Sequence, residues 1–382
     1  MQLFRHRLST RTLTATLAVW GAVAICGYVH AAERTQVWEL RSYRIETQLV
    51  ADWSPDWQGS RLEHLAATLE RLSRVEIGES WDLTARVASN DVRRETLSLD
   101  WEHDRPQFQH VLRTKDDFDK VVFVVLRCLN GVRSVAACEW DAVVGRWGPV
   151  RQQRFVQWSE LDQTVFELVV SAVSDVGKVK SINGTQFVLR PQAGLLPMRN
   201  QRRSKAGVGA VFRLAVSGQH AGRSLIPDGY LVVEEVDGTR LNCRLVSRFA
   251  LKLEDAERES LIAIGAKSVH PHTDLVIQTA TNEPLVGAGV WLKSLDDSQE
   301  ATRRIGTTDA DGRVKLPAEQ RCCWIRVQSG DQLLDRIPIL PGHQSQQVWQ
   351  TNVDDATLAV AQMFARCSED LAVLEAQRRH FT

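Results

Sequence analysis

The stretch "DKVVFVVLRCLNGVRSVAACEWD", residues 119–141, carries the clearest structural signal in this chain of 382 residues. Two runs rich in β-branched and other apolar residues flank the dipeptide Asn130-Gly131. Asn-Gly between two such runs is the strongest short-range signal for a β-hairpin with a two-residue turn, because both turn positions need a positive φ. The sequence therefore predicts an antiparallel strand pair here, and the neighbouring segments are interpreted around it.

On the N-terminal side of the hairpin, strand and helix patterns alternate. Residues 43–51 carry apolar side chains at every second position, as in a strand with one solvated face. In residues 60–75 apolar side chains recur every three or four positions, which predicts an amphipathic helix. Further strand or helix patterns lie at residues 81–87, at residues 161–173 and around Asn183-Gly184. Together they predict an α+β domain, residues 33–195, with helices laid on one antiparallel sheet.

A basic run follows, in residues 196–207, and it has few positions suited to a core. We interpret it as a solvated linker. The alternative, an arm that binds nucleic acid, is disfavoured because the whole chain has 47 basic and 47 acidic residues. Proteins dedicated to nucleic acid normally carry a marked basic excess.

Closely spaced short strands are predicted in residues 208–268, with a hairpin turn at Asp237-Gly238. Strands of this kind usually close as a small barrel or pack as a sandwich. The pattern is similar to the small barrels appended to bacterial envelope and assembly proteins. We therefore expect a small all-β, barrel-like domain.

Two motifs identify the next region, residues 272–345. "PLVGAGV" begins at Pro284, and "TTDADGRV" runs from Thr307 to Val314. They match the "PLxGAxV" and "TxxDGxx" motifs of the transthyretin-like sandwich found in carboxypeptidase regulatory-like domains, which this region resembles. The resemblance implies an immunoglobulin-like or transthyretin-like β-sandwich and covers less than a fifth of the chain.

The acidic stretch "GTTDADGRVKLP", residues 306–317, invites comparison with a calcium loop. An EF-hand loop needs oxygen ligands at positions 1, 3 and 5, glycine at position 6 and glutamate at position 12. If Asp309 is position 1, glycine falls at position 4, and Arg313 occupies the place of the third carboxylate. The pattern instead predicts a turn in which Asp309 accepts backbone hydrogen bonds and Gly312 has a positive φ.

Both ends of the chain carry helical or apolar segments. Residues 1–32 have a basic start, a charge-free stretch over residues 12–32 and a small-x-small ending, which predicts a signal peptide cut after Ala31. An uncleaved membrane anchor through residues 12–32 is the alternative, and a lipid-modified Cys26 is disfavoured because Ile25 precedes it. Residues 353–382 predict a C-terminal helix with a short apolar seam that docks on its own protein.

Export raises the question of disulfides, because exported compartments permit them. Register from the Asn130-Gly131 turn would pair Cys128 with Arg133 and Cys138 with Phe123, which keeps those two cysteines apart. The adjacent residues Cys322 and Cys323 would face opposite sides of a strand. The sequence leaves open how its cysteines pair: Cys128, Cys138, Cys243, Cys322, Cys323 and Cys367.

A search for chemistry yields no catalytic, cofactor-binding or metal-ligating set. The sequence contains no H-E-x-x-H, G-x-S-x-G or P-loop motif, and "GVGAVF" at residues 207–212 lacks the last glycine of a dinucleotide motif. His270 and His272 are interpreted as a solvated linker pair without a third ligand nearby. Glu234 and Glu235 alternate across a predicted strand, so they are not expected to act together.

Three functions remain as hypotheses. The leading one is an exported, non-enzymatic modular protein, periplasmic or extracellular, with an attachment, assembly or binding role in the cell envelope and an envelope protein or polysaccharide as its partner. The second is a hydrolase-type enzyme whose site is built from distant residues in the N-terminal domain, near Trp81 and Trp140. The third is a carbohydrate-binding protein that uses Trp291 and Trp324 of the sandwich, provided that both rings are exposed. Oligomeric state is left open by the sequence.

Overall fold

The computed structural model describes residues 37–57, 59–99, 118–200, 206–217, 223–251, 260–295, 302–330 and 332–351, together with Leu371, Leu374 and Arg378. Within these ranges the chain is rich in β-structure and forms several sheets, one of them a closed barrel, with three α-helices. The predicted signal segment, residues 1–32, lies outside the described residues. So does the predicted C-terminal helix, residues 353–382, apart from three separate positions that are helical.

The first unit is a mixed sheet with helices on both faces. Its elements are β1 (Tyr43–Ala51), α1 (Gly59–Leu72), β2 (Trp81–Val87), α2 (Asn90–Ser98), β3 (Lys120–Leu129), β4 (Val132–Asp141), β5 (Arg146–Trp147), β6 (Arg151–Phe155) and α3 (Leu161–Ala172). The strand order is β2-β1-β3-β4, and both β5 and β6 pair with β4. Strands β3 and β4 form the predicted hairpin, with positive φ at Asn130 and Gly131.

The prediction of one antiparallel sheet is wrong, because β1 runs parallel to both β2 and β3. Helix α1 returns the chain from the end of β1 to the start of β2, and a crossover of this kind makes neighbouring strands parallel. The solvated face predicted for β1 is also absent: Glu46 and Gln48 are buried, since α1 and α3 pack on one face and α2 on the other. A central strand covered on both faces does not show a period-two exposure pattern.

The second unit is a closed six-stranded barrel in the order β10-β11-β8-β7-β12-β9. Its strands are β7 (Val176–Asn183), β8 (Gln186–Pro191), β9 (Val211–Ser217), β10 (Arg223–Asp237), β11 (Arg240–Ser247) and β12 (Ile262–Ala266). The predicted strands of residues 208–268 are present, but they do not close by themselves. The hairpin around Asn183-Gly184, which the sequence analysis assigned to the N-terminal domain, supplies β7 and β8 to the barrel. Phe187 and Leu189 of that hairpin are fully buried in the barrel core.

The segment predicted as a linker, residues 196–207, starts bound to the first unit. The backbone N–H of Leu195 donates to Glu39, that of Asn200 donates to Glu76, and Met198 forms a β-bridge with Gly78. Basic composition alone predicted solvation, whereas the backbone of residues 195–200 is hydrogen-bonded to the first unit. Residues 201–205 lie outside the described residues.

The third unit contains two sheets that share one core. Its strands are β13 (His272–Gln278), β14 (Gly289–Ser294), β15 (Arg303–Thr307), β16 (Arg313–Pro317), β17 (Cys323–Ser329), β18 (Gln332–Ile339) and β19 (Gln346–Gln350). The sheets have the orders β16-β13-β19 and β15-β14-β17-β18. Leu275, Ile277 and Trp349 from the first sheet pack against Val290 and Ile325 from the second. Strand β19 extends the sandwich beyond the predicted end at residue 345.

The three units pack on one another. Val176 and Ile262 of the barrel belong to the same hydrophobic cluster as the helices of the first unit. A second cluster, between barrel and sandwich, includes Tyr230 and Val246 on one side and Leu340 on the other. The contacts between units therefore include buried apolar surface, which is the main favourable contribution to such packing.

Candidate functional site

A cavity of about 830 Å³, called the cleft below, opens where the three units meet. The ends of β4 and β5 border it from the first unit, and β9 and β12 border it from the barrel. The sandwich contributes the segment before β13 and the segment before β19. Its ionisable lining includes Glu139, Asp141, Arg146, Arg213, His270 and His343. A concave site of this size is typical of small-molecule pockets.

Two carboxylates that line the cleft, Glu139 and Asp141, form a buried triad with Lys120, which lies behind them. Lys120 is completely buried, and its Nζ donates to Glu139 Oε1 at 2.5 Å and to Asp141 Oδ2 at 2.8 Å. The hairpin register brings the three residues together. Lys120 pairs with Asp141, and Glu139 lies two residues before Asp141 on the same strand, so both carboxylates face the same side of the sheet. A charged side chain is tolerated in the interior when it is paired and hydrogen-bonded.

The carboxylates of the triad have further partners in the fold. Both oxygens of Glu139 accept from the backbone N–H of Ser174, at 3.2 and 3.1 Å. Asp141 Oδ1 accepts from the N–H of Val144 at 3.0 Å. Because Ser174 lies between α3 and β7, the triad connects the first unit to the first barrel strand.

Burial and charge act on the triad in opposite directions. Burial by itself would lower the pKa of Lys120, but the nearby charges of Asp141 and Glu139 outweigh it and hold that pKa above its ordinary value. Burial raises the pKa of Glu139, and the charge of Lys120 opposes this rise. Lys120 is therefore charged at neutral pH and acts as the counter-ion of the two carboxylates.

His343 and the segment beside it form the sandwich side of the cleft. Its Nδ1 lies 3.0 Å from the carbonyl oxygen of Lys267, and burial lowers the pKa of His343 to about 4. The ring is therefore neutral at pH 7. With Nδ1 donating to the carbonyl, Nε2 is left as an acceptor. The preceding residue, Gly342, has a φ of +81°, and its carbonyl accepts from the N–H groups of Val269 and His270.

Two arginines face the cleft from different units, Arg146 from β5 and Arg213 from β9. Burial lowers the pKa of Arg146, and the positive charge of Arg213 lowers it further. Within the described part of the chain, neither guanidinium forms an ion pair with a carboxylate within 4.0 Å. The cleft thus brings together two like charges from two units.

The two histidines of the predicted linker, His270 and His272, lie in different surroundings. His270 lines the cleft, whereas His272 begins β13 and has its Nε2 3.9 Å from Asp274 Oδ1. The described residues contain no group of three or more His, Cys, Asp or Glu side chains that could hold a metal ion.

Glu234 and Glu235 have separate partners. Glu234 forms an ion pair with Arg244 at 2.6 Å, and Glu235 accepts from the amide of Asn242 at 3.0 Å. The register of β10 shifts between Val233 and Glu235, so the strand has a bulge there, and simple alternation does not describe it. Residues 207–212 lead into β9 and form no helix N-terminus.

The acidic stretch of residues 306–317 forms the predicted turn. Asp309 Oδ1 accepts from the N–H groups of Asp311 and Arg313 at 2.9 and 2.8 Å. Gly312 has a φ of +70°, and a Cβ there would lie 2.5 Å from the carbonyl oxygen of Ile277. Glycine is therefore needed at this position for its backbone angle and for space.

The predicted relations among the cysteines are confirmed where they lie in the described residues. Cys128 pairs with Arg133, and Cys138 pairs with Phe123. Cys323 packs in the sandwich core, while Cys322 packs in the cluster between barrel and sandwich. No disulfide joins two of the described cysteines, and Cys367 lies outside the described residues.

The tryptophans of the other hypotheses lie in different surroundings. Trp81 is buried at the start of β2, away from the lining of the cleft, whereas Trp140 packs against Trp147, which does line it. Trp291 and Trp324 are both partly exposed. The sequence analysis did not single out the triad or His343, although Lys120 stands out as a cation beside an apolar run.

Comparisons with known proteins do not show a family for this chain. No family model matches it, and no curated protein matches it. Solved structures that it is similar to include a PelC dodecamer from Paraburkholderia phytofirmans, at 14% identity over 34% of this chain and 86% of that chain, with a TM-score of 0.21. TolB from Acinetobacter baumannii is 10% identical over 80% and 85% of the two chains, with a TM-score of 0.22. BcpA, the major pilin subunit of Bacillus cereus, is 11% identical over 48% and 71%, with a TM-score of 0.17.

These similarities are too weak to establish a family or a function. Separately, the helices among the described residues include none with the length and apolar character needed to cross a bilayer. The predicted segment of residues 12–32 is outside that range.

Proposed function

We propose that this protein is an exported, non-enzymatic binding protein of the cell envelope that holds a segment of a partner envelope protein in its cleft. The observation that carries the proposal is the pair Arg146 and Arg213, two cations without a carboxylate partner among the described residues, in a cleft bordered by all three units. A carboxylate on the partner would bind both guanidinium groups and relieve their mutual repulsion. Charge-assisted hydrogen bonds of this kind are stronger than neutral ones.

The packing of the units supports binding to a preformed site. Apolar clusters join the first unit to the barrel and the barrel to the sandwich, and the ion pair between Arg248 and Asp335 crosses the second of these contacts. A site held by packed units loses little conformational entropy when its ligand binds. The volume of about 830 Å³ is within the range of such pockets.

The state of two carboxylates in the cleft, Glu139 and Asp141, supports a role without catalysis. Glu139 and Asp141 accept hydrogen bonds from Lys120, Ser174 and Val144, so their oxygens serve the fold. A general base needs a lone pair within reach of its substrate. In Glu139 and Asp141, hydrogen bonds from protein donors occupy most of the lone pairs.

Export and the type of the sandwich are further parts of the proposal. The basic start and charge-free stretch of residues 1–32 support a leader that directs the chain to the periplasm or beyond, or an anchor that keeps it at the membrane. The transthyretin-like class of the sandwich is supported by its motifs, because "PLVGAGV" runs into β14 and "TTDADGRV" joins β15 to β16. Both assignments remain predictions.

A second candidate function, a hydrolase, is favoured by one observation. His343 is neutral, has an acceptor nitrogen and shares the cleft with Asp274 and His270. A histidine oriented through Nδ1 by a carbonyl is a common arrangement for a general base. Its low pKa makes it a weak base, which places this candidate second.

In-cell crosslinking tests the leading proposal. A photoreactive residue at Gln346, on the cleft, is compared with one at Arg154, an exposed position on β6. We expect a protein adduct of one defined mass only from Gln346, and we expect it to disappear in the variant R146E/R213E. Absence of an adduct from the cleft position, or equal adducts from both positions, would contradict the proposal.

The hydrolase is tested by ester turnover. Release of nitrophenol from p-nitrophenyl acetate that is lost in H343Q and kept in R146E/R213E would favour the second candidate. No turnover above that of H343Q would remove it.

A further inference from the structure

The outward face of the four-stranded sandwich sheet carries a continuous row of cations and one indole. The row runs across all four strands in the order Arg304, Trp291, Arg326 and Arg336, and is called the basic row below. Trp291 pairs directly with Arg304 and with Arg326, and Arg326 pairs directly with Arg336. Residues paired in this way project from the same face of a sheet.

This face points away from the sandwich core. Neighbours of the row on three of the strands fill the core instead, namely Val290 and Leu292 on β14, Ile325 on β17 and Ile337 on β18. Arg304 and Arg336 are exposed, while Trp291 and Arg326 are partly exposed. The row is therefore open to a ligand.

The charges of the row are not balanced within the described part of the chain. None of its three guanidinium groups forms an ion pair with a described carboxylate within 4.0 Å. Two acidic side chains of the sandwich pair with other arginines: Asp335 of β18 with Arg248, and Glu319, which precedes β17, with Arg303. Arg326 and Arg336 are like charges directly opposite each other, an arrangement that destabilises a sheet. Folding alone does not account for such a row.

The two tryptophans of this face have different surroundings. Trp324 pairs with Lys293, packs against the cluster between barrel and sandwich, and has the guanidinium of Arg336 4.1 Å from its ring centroid. Trp291 is freer, since Arg304 lies 5.7 Å from its ring centroid. Its Nε1 reaches back over Gly289, where a Cβ would lie only 3.4 Å away. Trp291 is thus the ring that a ligand can reach.

The spacing of the row fits a polymer with repeated negative charges. Neighbouring strands lie about 4.8 Å apart, so Arg326 and Arg336 are separated by about 5 Å, and Arg304 and Arg326 by about 10 Å across the strands. A chain laid across the strands would place successive carboxylates over successive guanidinium groups. Arginine binds carboxylates in a bidentate, planar geometry, and the apolar face of a sugar ring packs on an indole.

We propose that the basic row binds an acidic polysaccharide whose sugar units carry carboxylate groups. The polymer crosses β15, β14, β17 and β18, with one sugar ring on Trp291 and carboxylates on the flanking arginines. A nucleic acid offers similar charge, but the 47 basic and 47 acidic residues of the chain do not provide the basic excess typical of its binders. The basic row shares no residue with the cleft, so this proposal does not depend on the proposed protein partner.

Binding of the full chain to alginate, a polymer of uronic acids, tests the proposal by calorimetry at low salt. The matched probes are neutral dextran and a single-stranded oligothymidine. We expect R326Q/R336Q to weaken alginate binding by about tenfold or more, the effect of losing charge-assisted hydrogen bonds. W291A should weaken it by about threefold or more. The control R154Q/R240Q removes the same charge from exposed arginines elsewhere and should bind like the wild type.

Each other result would overturn the proposal. Tighter binding of the oligonucleotide than of alginate would assign the row to nucleic acid. If dextran bound as tightly as alginate, charge would have no role in binding. If R154Q/R240Q weakened alginate binding as much as R326Q/R336Q does, the effect would come from overall charge and not from the basic row. Failure of wild-type protein to bind alginate would remove the site. The folded state of each variant is checked by its thermal unfolding, since substitutions on this outward face should leave the fold intact.

Discussion

Two groups of charged residues in this protein are arranged in opposite ways. The buried triad places one lysine between two carboxylates, and every member has hydrogen-bond partners. The basic row places three arginines on an open sheet face without a described carboxylate partner. Buried charge must be compensated within the fold, whereas exposed like charges are tolerated and remain available to a ligand. The comparison separates charged groups that stabilise the fold from charged groups that we propose to bind a ligand.

The same contrast appears between two neighbours on one strand. Asp335 has only 9% of its side chain exposed and pairs with Arg248 across the contact of barrel and sandwich. Arg336, the next residue, is exposed and contacts the ring of Trp324. Successive residues of a strand face opposite sides of the sheet, so these two neighbours in sequence have different partners and different roles.

The largest effect is expected from K120M, which leaves two carboxylates buried without their counter-ion. Breaking a buried ion pair by removing one partner costs about 3–5 kcal/mol. We expect a loss of that size in the free energy of unfolding, measured by urea denaturation. The control K180M changes an exposed lysine of β7 and should alter stability by less than about 0.5 kcal/mol. Similar stability of K120M and wild type would break the comparison.

The neighbours on β18 provide the next test. D335N leaves Arg248 without its carboxylate partner at a mostly buried contact, while its hydrogen bond to the carbonyl oxygen of Gln350 stays. Because a hydrogen bond to a charged group contributes about 1.5–3 kcal/mol, we expect a loss of about 2 kcal/mol. R336Q removes an exposed charge and its contact with the ring of Trp324, and should change the free energy of unfolding by no more than about 1 kcal/mol. Chemical denaturation of both variants measures the difference. Equal losses would show that Arg336 also holds the fold.

A third effect depends on pH and concerns His343. The pKa of His343 is about 4 in the folded protein, against an ordinary value of 6.5. Between these two pH values the unfolded chain binds a proton at this residue and the folded chain does not. The stability should therefore fall as the pH is lowered from about 6.5 to about 4. In H343Q this part of the pH dependence should be absent, as measured by thermal unfolding at a series of pH values. An unchanged slope in H343Q would assign the acid sensitivity to other groups.

The smallest effect has the opposite sign. R326Q removes one of two like charges that face each other on adjacent strands, and such pairs cost about 0.2–1 kcal/mol. We expect this variant to be slightly more stable than wild type at low salt and equal to it at high salt, because salt screens exposed charges. R154Q, which removes an exposed arginine of β6, is the control. A loss of stability in R326Q would mean that the row contributes to folding.

Much of the local structure was predictable from residue patterns. The Asn130-Gly131 turn determines the register of β3 and β4, and that register already places Lys120 opposite Asp141. The triad could therefore have been found by carrying the hairpin register to its far end. His343 had no comparable signal, since its low pKa comes from burial by residues distant in the chain.

The sequence by itself determined the elements whose causes are local. Turn dipeptides, apolar periodicity and the glycine at position 312 specify hairpins, helices and a tight turn, because these depend on backbone angles and on neighbours a few residues away. Tertiary structure alone decided that β1 lies parallel to its neighbours, that β7 and β8 close the barrel, and that arginines of separate strands meet in one row. These features depend on contacts between distant segments, whose free energy is set by burial and charge in the assembled fold and leaves no local pattern.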